Sequence, residues 1–255
     1  MKVYADITTK GITVYSSGAG DSGMWETTFV PLPSGLFDAN GRNEAPLNLP
    51  KFKAKSVVLV ANTRKTIIRI ADSPTGEQWE LISKTFPIGS KMNETTHIFD
   101  GSKFVNDKGE SRFFMAALPV ETCNTIVKIG EALTGSIYNL ELIDTVEHVL
   151  LRQYTSVISG GAVLILLPQD EGLRLLHIAN GLPRSVGDIS NNPQHREDEF
   201  SRYLQGIEKT ALTKAVFLYR EYEDISKWQW LHDHFVCFSG CEITFNMLQL
   251  QNKAS

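Results

Sequence analysis

Residues 231–241, LHDHFVCFSGC, set His232, His234, Cys237 and Cys241 in the order H-x-H-x2-C-x3-C. Imidazole and thiolate are the donors that zinc prefers, so these four could close a tetrahedral structural site. The same residues have a plainer reading. Trp228, Trp230, Leu231 and Phe235 mark a helix end entering a core strand, which would put His232 and His234 on different faces. Cys237 stands between Val236 and Phe238, the surroundings of a buried, inert thiol. The expectation is no bound metal, with a zinc-stabilised binding domain as an alternative.

A second candidate opens the chain. YADITTKGITVYSSG, residues 4–18, joins two alternating apolar runs through Thr8, Thr9, Lys10 and Gly11, two residues beyond Asp6. A turn with hydroxyls, an ammonium and small residues can wrap a phosphate with its N–H groups, while a nearby carboxylate holds magnesium through water. It can equally be a bare hairpin. Asp6 with Asp144 and Glu147 would suit a two-metal phosphodiesterase, yet acids at strand ends are ordinarily solvated turns and caps. HREDEF, residues 195–200, places Glu197, Asp198 and Glu199 where a helix N-terminus favours negative charge. Cys123 falls on the apolar face of a helix with no base beside it in sequence, so packing is its expected role.

The bulk composition narrows the classes of function. The 255 residues carry a net charge of −4, with 25 Lys and Arg scattered along the chain. No basic stripe exists to bind a phosphate backbone, so nucleic acid is not an expected partner. The N-terminal MKVYADITTKG lacks the apolar core of a signal peptide, and the longest apolar block, AVLILL at 162–167, is far short of the ~20 residues that span a bilayer. A cytosolic chain is expected, and its three cysteines should stay reduced.

The elements that must position these residues follow from hydrophobic period. KVYADI and GITVYSS alternate as a strand hairpin; 18–50 reads as an irregular excursion with MWETTFVPL as a third strand. KSVVLVANTRKTIIRIAD gives two more strands, and THIFDGSKFVNDKGESRFFMAALP a strand, turn and strand punctuated at Asp100-Gly101 and Asp107-Lys108-Gly109. A helix runs from Pro119 to Gly135 on Val120, Cys123, Ile126, Val127, Ile129 and Leu133. YNLELID is a strand and TVEHVLLRQY a helix. AVLILLP, GLRLLHIANG and LPRSVGDIS are three strands turning at Asp170-Glu171-Gly172 and Asn180-Gly181. NPQHREDEFSRYLQGIEKT is a helix, KAVFLY a strand, DISKWQWLHDHF a helix capped by Asp224, and EITFNMLQL a last strand. Three antiparallel strands followed by alternating helices and strands is the ribonuclease H-like order. The predicted fold is α/β with mixed sheets, in an actin-like arrangement of two such subdomains in tandem: 1–155 with an insertion, and 156–255.

In that order the chain resembles the actin-like proteins of type IV pilus and type II secretion assembly, the PilM family and the cytoplasmic domain of the GspL family. ADITTKGITVY is similar to the family's opening aspartate hairpin, and SVVLVANTRKTIIRIADSP to its short strand pair. MAALPVETCNTIVKIGEALTGSIYNLELIDTVEHVLLRQY resembles its run of strand, P-x-E/D, helix, strand ending in Asp, and second helix. GGAVLILLPQDEGLRLLHIANGLPRSVGDIS is similar to its second three-strand meander, and ITFNMLQLQN to the segment that leads to a transmembrane helix in secretion-type members.

The resemblance implies two phosphate turns and a glycine pair under an adenosine. In the first turn Asp6, Thr8, Thr9 and Lys10 are kept, but Thr8 stands where glycine is usual, so a vestigial phosphate loop is expected. Leu166, Leu167 and Pro168 are expected at the second turn, and Arg220, Glu221 and Glu223 at the base-binding turn; none suits nucleotide. The implied function is therefore a non-catalytic cytoplasmic scaffold of an inner-membrane assembly platform, without cofactor. It would bind a membrane partner's cytoplasmic peptide, the assembly ATPase, or both, and the chain could be the cytoplasmic domain of a bitopic protein. A homodimer is left open. Strand edges near 56–71 and 95–117 are candidates for peptide addition. The alternative from another class is an ATP-binding actin-superfamily enzyme with unorthodox loops and Mg·ATP as its cofactor.

Overall fold

The computed structural model describes residues 2–17, 25–37, 47–52, 56–63, 65–72, 86, 95–155, 161–169, 172–207, 212–219, 225–234 and 238–242. The first part of the chain runs β1 (Lys2–Ile7), β2 (Gly11–Ser17), β3 (Trp25–Pro31), β4 (Ser56–Ala61), β5 (Ile67–Asp72), β6 (His97–Val105) and β7 (Ser111–Pro119). Then follow helix α1 (Val120–Thr134), a 3-10 turn at Ile137–Asn139, β8 (Leu140–Thr145) and α2 (Val146–Thr155). Next come β9 (Ala162–Gln169), β10 (Gly172–Ala179), β11 (Leu182–Ser190), α3 (Arg196–Ile207) and β12 (Leu212–Tyr219). A 3-10 helix at Ile225–His234 and β13 (Phe238–Glu242) complete the described elements. They fall into two compact units: Met1–Ile67 with Ile82–Asp100 and Ala116–Val146, and Ile68–Leu81 with Gly101–Met115 and Glu147–Ser255.

In the first unit the sheet order is β3-β2-β1-β4-β8, with β1, β4 and β8 parallel and the pairs β1–β2 and β2–β3 antiparallel. Alternation sends Val3, Ala5 and Ile7 of β1 and Val57, Leu59 and Ala61 of β4 into one core. Against it lie Cys123, Ile126, Ile129 and Leu133, the apolar stripe of α1 at helical spacing. Each such Leu or Ile stabilises the unit by about 1.5–3 kcal/mol on burial. The helix comes closest to the sheet at Gly130, where a Cβ would lie 2.6 Å from Leu140 and 2.7 Å from Leu59. It stops at Gly135, whose φ of 75° and N–H bond to the Glu131 carbonyl make a left-handed C-cap.

The second unit repeats the scheme with the order β11-β10-β9-β12-β13, again antiparallel on one side and parallel on the other. Its core joins Leu164, Leu166, Leu173, Leu175, Ala215 and Phe217 to Phe200 and Ile207 of α3. The ribonuclease H-like order therefore occurs twice. A three-stranded sheet has the order β5-β7-β6.

Several local expectations need correction. Asp100-Gly101 is no turn: both lie inside β6, where a Cβ on Gly101 would stand 2.8 Å from the Phe114 carbonyl oxygen of the neighbouring strand. The turn is at 106–110, where the Asn106 side chain accepts from the N–H groups of Lys108 (3.0 Å) and Glu110 (2.9 Å). Residues 225–234 wind as a 3-10 helix, not an α-helix; three residues per turn stacks Trp228 and Leu231 on one side, and both are buried. The strand beside β12 is Phe238–Glu242, and the EITFNMLQL strand lies, beyond Glu242, outside the described residues.

Candidate functional site

The opening turn closes on itself. The Thr8 N–H donates to the Gly11 carbonyl at 2.9 Å, and the Thr8 hydroxyl accepts from the N–H groups of Lys10 (3.3 Å) and Gly11 (3.1 Å). These N–H groups are the ones an anion in the turn would require, and a buried side-chain oxygen already stands in front of them. A β-branched residue where the resemblance expects glycine thus supplies its own acceptor. Gly11 is required for packing, since a Cβ there would lie 2.4 Å from the Phe29 ring and 2.8 Å from the Val30 carbonyl. Thr8→Val keeps the shape and removes the hydroxyl, which would leave two N–H groups without their acceptor. Its expected cost is about 1–3 kcal/mol, read as a lower urea midpoint. An unchanged midpoint would show that the hydroxyl does not hold the turn.

Asp6, two residues before Thr8, is buried on β1. In register it stands beside Val60 of β4, and Val60 stands beside Asp144 of β8. Parallel in-register neighbours point to one face, so Asp6 and Asp144 share the face opposite α1, near the carboxyl ends of the parallel strands. Asp144 turns an oxygen to the N–H of Thr145 at 2.8 Å, a cap at the entry to α2. Glu147 does not join them as a metal ligand, because an arginine occupies its carboxylate, as described below. Thr9 is half-buried and Lys10 exposed beside this turn.

The second turn is displaced from its expected place. Leu166, Leu167 and Pro168 are strand, paired with Leu175, Arg174 and Leu173 of β10. Proline is accommodated there because pairing with β12 ends at Leu166, so its missing N–H breaks no ladder bond on that side. β9 instead runs on to Gln169, which pairs with Gly172, the first residue of β10. Asp170 and Glu171 lie outside the described residues, as do Arg220, Glu221 and Glu223 at the expected base-binding turn.

Of the zinc quartet, His232 and His234 lie in the 3-10 helix, and Cys241 lies in β13 opposite Leu218. Cys237 and the side chains of the other three fall outside the described residues. Of the candidate edges for peptide addition, β4 is excluded because it pairs with β1 and β8 on both sides, and β7 is likewise interior. β5 and β6 are the outer strands of their sheet, and β6 exposes Ile98 and Val105.

A polar cluster that sequence reasoning missed lies in the second unit. Arg174 of β10 is 2% exposed; its Nη1 bonds the fully buried Glu147 of α2, and its Nε donates to Asp188 of β11 at 2.8 Å. Gln169, the last residue of β9, donates to Glu147 at 3.4 Å. Burial pushes the Glu147 carboxyl up from the ordinary carboxylate range, against the opposing pull of Arg174. The signal in the sequence was an arginine amid the apolar run GLRLLHIA. Cross-strand register then places Asp188 directly opposite it.

No protein-family model matches the chain, and no curated protein matches it by sequence. Solved structures do. A chain of a PilM–PilN type IV pilus biogenesis complex superposes with a TM-score of 0.64 at 11% identity, over 94% of this chain and 88% of that one. A Bacteroides thetaiotaomicron protein of actin-like ATPase fold and unknown function gives 0.57 at 7% identity, over 94% and 90%. The cytoplasmic domain of EpsL, an inner-membrane component of the Vibrio cholerae type II secretion system, gives 0.52 at 11% identity, over 100% and 95%. At such identities the likeness speaks to architecture, and it agrees with the doubled strand order: this chain has the actin-like fold, in the form also seen in type IV pilus and type II secretion assembly components.

Proposed function

We propose that the chain is a non-catalytic scaffold acting on the cytoplasmic side of a type IV pilus or type II secretion inner-membrane assembly platform. It would bind a membrane partner's cytoplasmic peptide, the assembly ATPase, or both. The observation that carries the reading is the near full-length likeness to chains of such assemblies. The absence of enzyme activity is supported by the Thr8 hydroxyl, which occupies the N–H groups of the first phosphate turn. No helix among the described residues is long and apolar enough to cross a membrane. A peptide partner would add to β6, whose alternation offers Ile98 beside backbone hydrogen-bonding groups.

A second reading has its own observation. With Pro168 inside β9, the sequence that follows Gln169 reads Asp170-Glu171-Gly172, an acid-x-glycine pattern that a nucleotide-binding enzyme of this fold could use. Calorimetry with Mg·ATP separates the two. The scaffold reading expects no binding heat and no phosphate release, and micromolar binding would overturn it in favour of the enzyme. Anisotropy with labelled cytoplasmic peptides of the membrane proteins encoded beside this chain tests the partner directly. Saturable binding that Ile98→Lys weakens is expected, and failure of every such peptide and of the assembly ATPase's N-terminal domain would end the scaffold reading.

A further inference from the structure

Two buried acceptors in the second unit face a shortage of hydrogens. Glu147 Oε2 and Gln169 Oε1 are each buried without a hydrogen-bond partner, although these two side chains already meet through Gln169 Nε2 and Glu147 Oε1. A carboxylate and a primary amide that share one such bond can form a second only if the carboxyl carries a proton on its other oxygen. The proton would then point from Glu147 Oε2 to Gln169 Oε1, and a single hydrogen would satisfy both orphaned atoms in a cyclic acid–amide pair.

Charge leads to the same assignment. The groups acting on Glu147 are Arg174 from β10 and Asp188 from β11, together with its own backbone N–H, which favours the ionised form; burial outweighs that donor and the arginine, and β9 offers the neutral amide of Gln169. Its own helix α2 carries His148, Arg152 and Tyr154 as its other titratable side chains. One guanidinium thus faces two carboxylates, and it gives Asp188 both Nε at 2.8 Å and Nη2 at 3.4 Å. Asp188 is 42% exposed and in contact with water, whereas Glu147 is fully buried. A second negative charge at the buried position would leave the cluster with a net charge of −1 in low dielectric, a costly state.

We infer that Glu147 keeps a proton above the ordinary carboxylate range of pH, and that the resulting acid–amide pair with Gln169 is a pH-sensitive latch fastening the end of β9 to the first turn of α2. Ionisation would remove the Oε2 hydrogen and set two carboxylates on one guanidinium.

The sign of the linkage fixes the test. A folded-state pKa raised above the unfolded value gives stability that is complete below the unfolded glutamate value, about 4.3, and is lost as pH rises through the folded value. Glu147→Gln supplies the same hydrogen-bonding pattern without a titrating proton. Melting temperatures of wild type and Glu147→Gln should therefore diverge with rising pH, wild type losing about 3–5 °C per pH unit relative to the variant within that window. Glu147→Ala, which removes the pair, should melt below both. Carbon NMR of the Glu147 carboxyl should show the protonated form at pH 6. A wild-type-minus-Gln difference that stays flat from pH 4 to 9, or an ionised carboxyl signal at pH 6, would overturn the inference.

Discussion

Arg174→Ala should lower the stability of the second unit by about 3–5 kcal/mol, the range for truncating a large buried side chain together with the hydrogen bonds it donates. The guanidinium serves Asp188 through two nitrogens and Glu147 through a third, and it is 2% exposed. Its loss leaves a cavity between β9 and β11, deprives Asp188 of its counter-charge, and strips Glu147 of a donor. Urea denaturation at pH 7 followed by tryptophan fluorescence measures the effect, since Trp228 belongs to this unit's core. Two companions separate charge from volume. Arg174→Met fills most of the space without the charge, and Arg174→Lys keeps the charge without the planar fork. If hydrogen bonding dominates, both variants fall well below wild type. If packing dominates, Arg174→Met recovers most of the loss. A variant as stable as wild type at pH 7 would mean that the cluster contributes no net stability.

The sequence carried the architecture further than the site, for a physical reason. Period-2 and period-3.6 patterns depend on which side of an element meets a core, and Val3, Ala5 and Ile7 or Cys123, Ile126 and Ile129 display them without reference to any other part of the chain. Where a strand ends is a different matter. The resemblance expects Pro168 at a phosphate turn, whereas it lies within β9, tolerated there because pairing with β12 has ended two residues earlier. Asp100-Gly101 misled in the same way: the glycine answers to a carbonyl on the neighbouring strand, which no local window contains. The candidate site shows the limit most clearly. Thr8 was legible as a departure from glycine, but its effect lies in where its hydroxyl points, toward two N–H groups within the same turn. The Glu147–Arg174–Asp188 cluster spans α2, β10 and β11, and only register brings its members together.

Phe200→Ala should cost about 3–5 kcal/mol and loosen α3 before the rest of its unit. The helix is polar over most of its surface, with Glu197, Asp198 and Glu199 in its first turn, and only Phe200 and Ile207 are buried. Phe200 is fully enclosed among Leu164, Leu166, Leu173, Leu175 and their neighbours, and its ring meets Trp230 edge-on at a centroid distance of 5.4 Å. That indole in turn lies under the Arg196 guanidinium, 5.2 Å away, so the aromatic pair also fixes the start of the helix. Truncation removes the anchor one turn into α3, and the remaining contacts of Tyr203, Leu204 and Ile207 lie toward its C-terminal half. Hydrogen exchange should therefore show the first two turns losing protection by more than the strands β9 and β10 lose theirs. Phe200→Leu retains much of the buried area without the edge-on ring, and should lose about half as much. Uniform loss of protection over the helix and the sheet would mean that Phe200 supports the whole unit's cooperativity instead of locking α3 alone. No loss at all would contradict the packing that makes this sheet and helix one core.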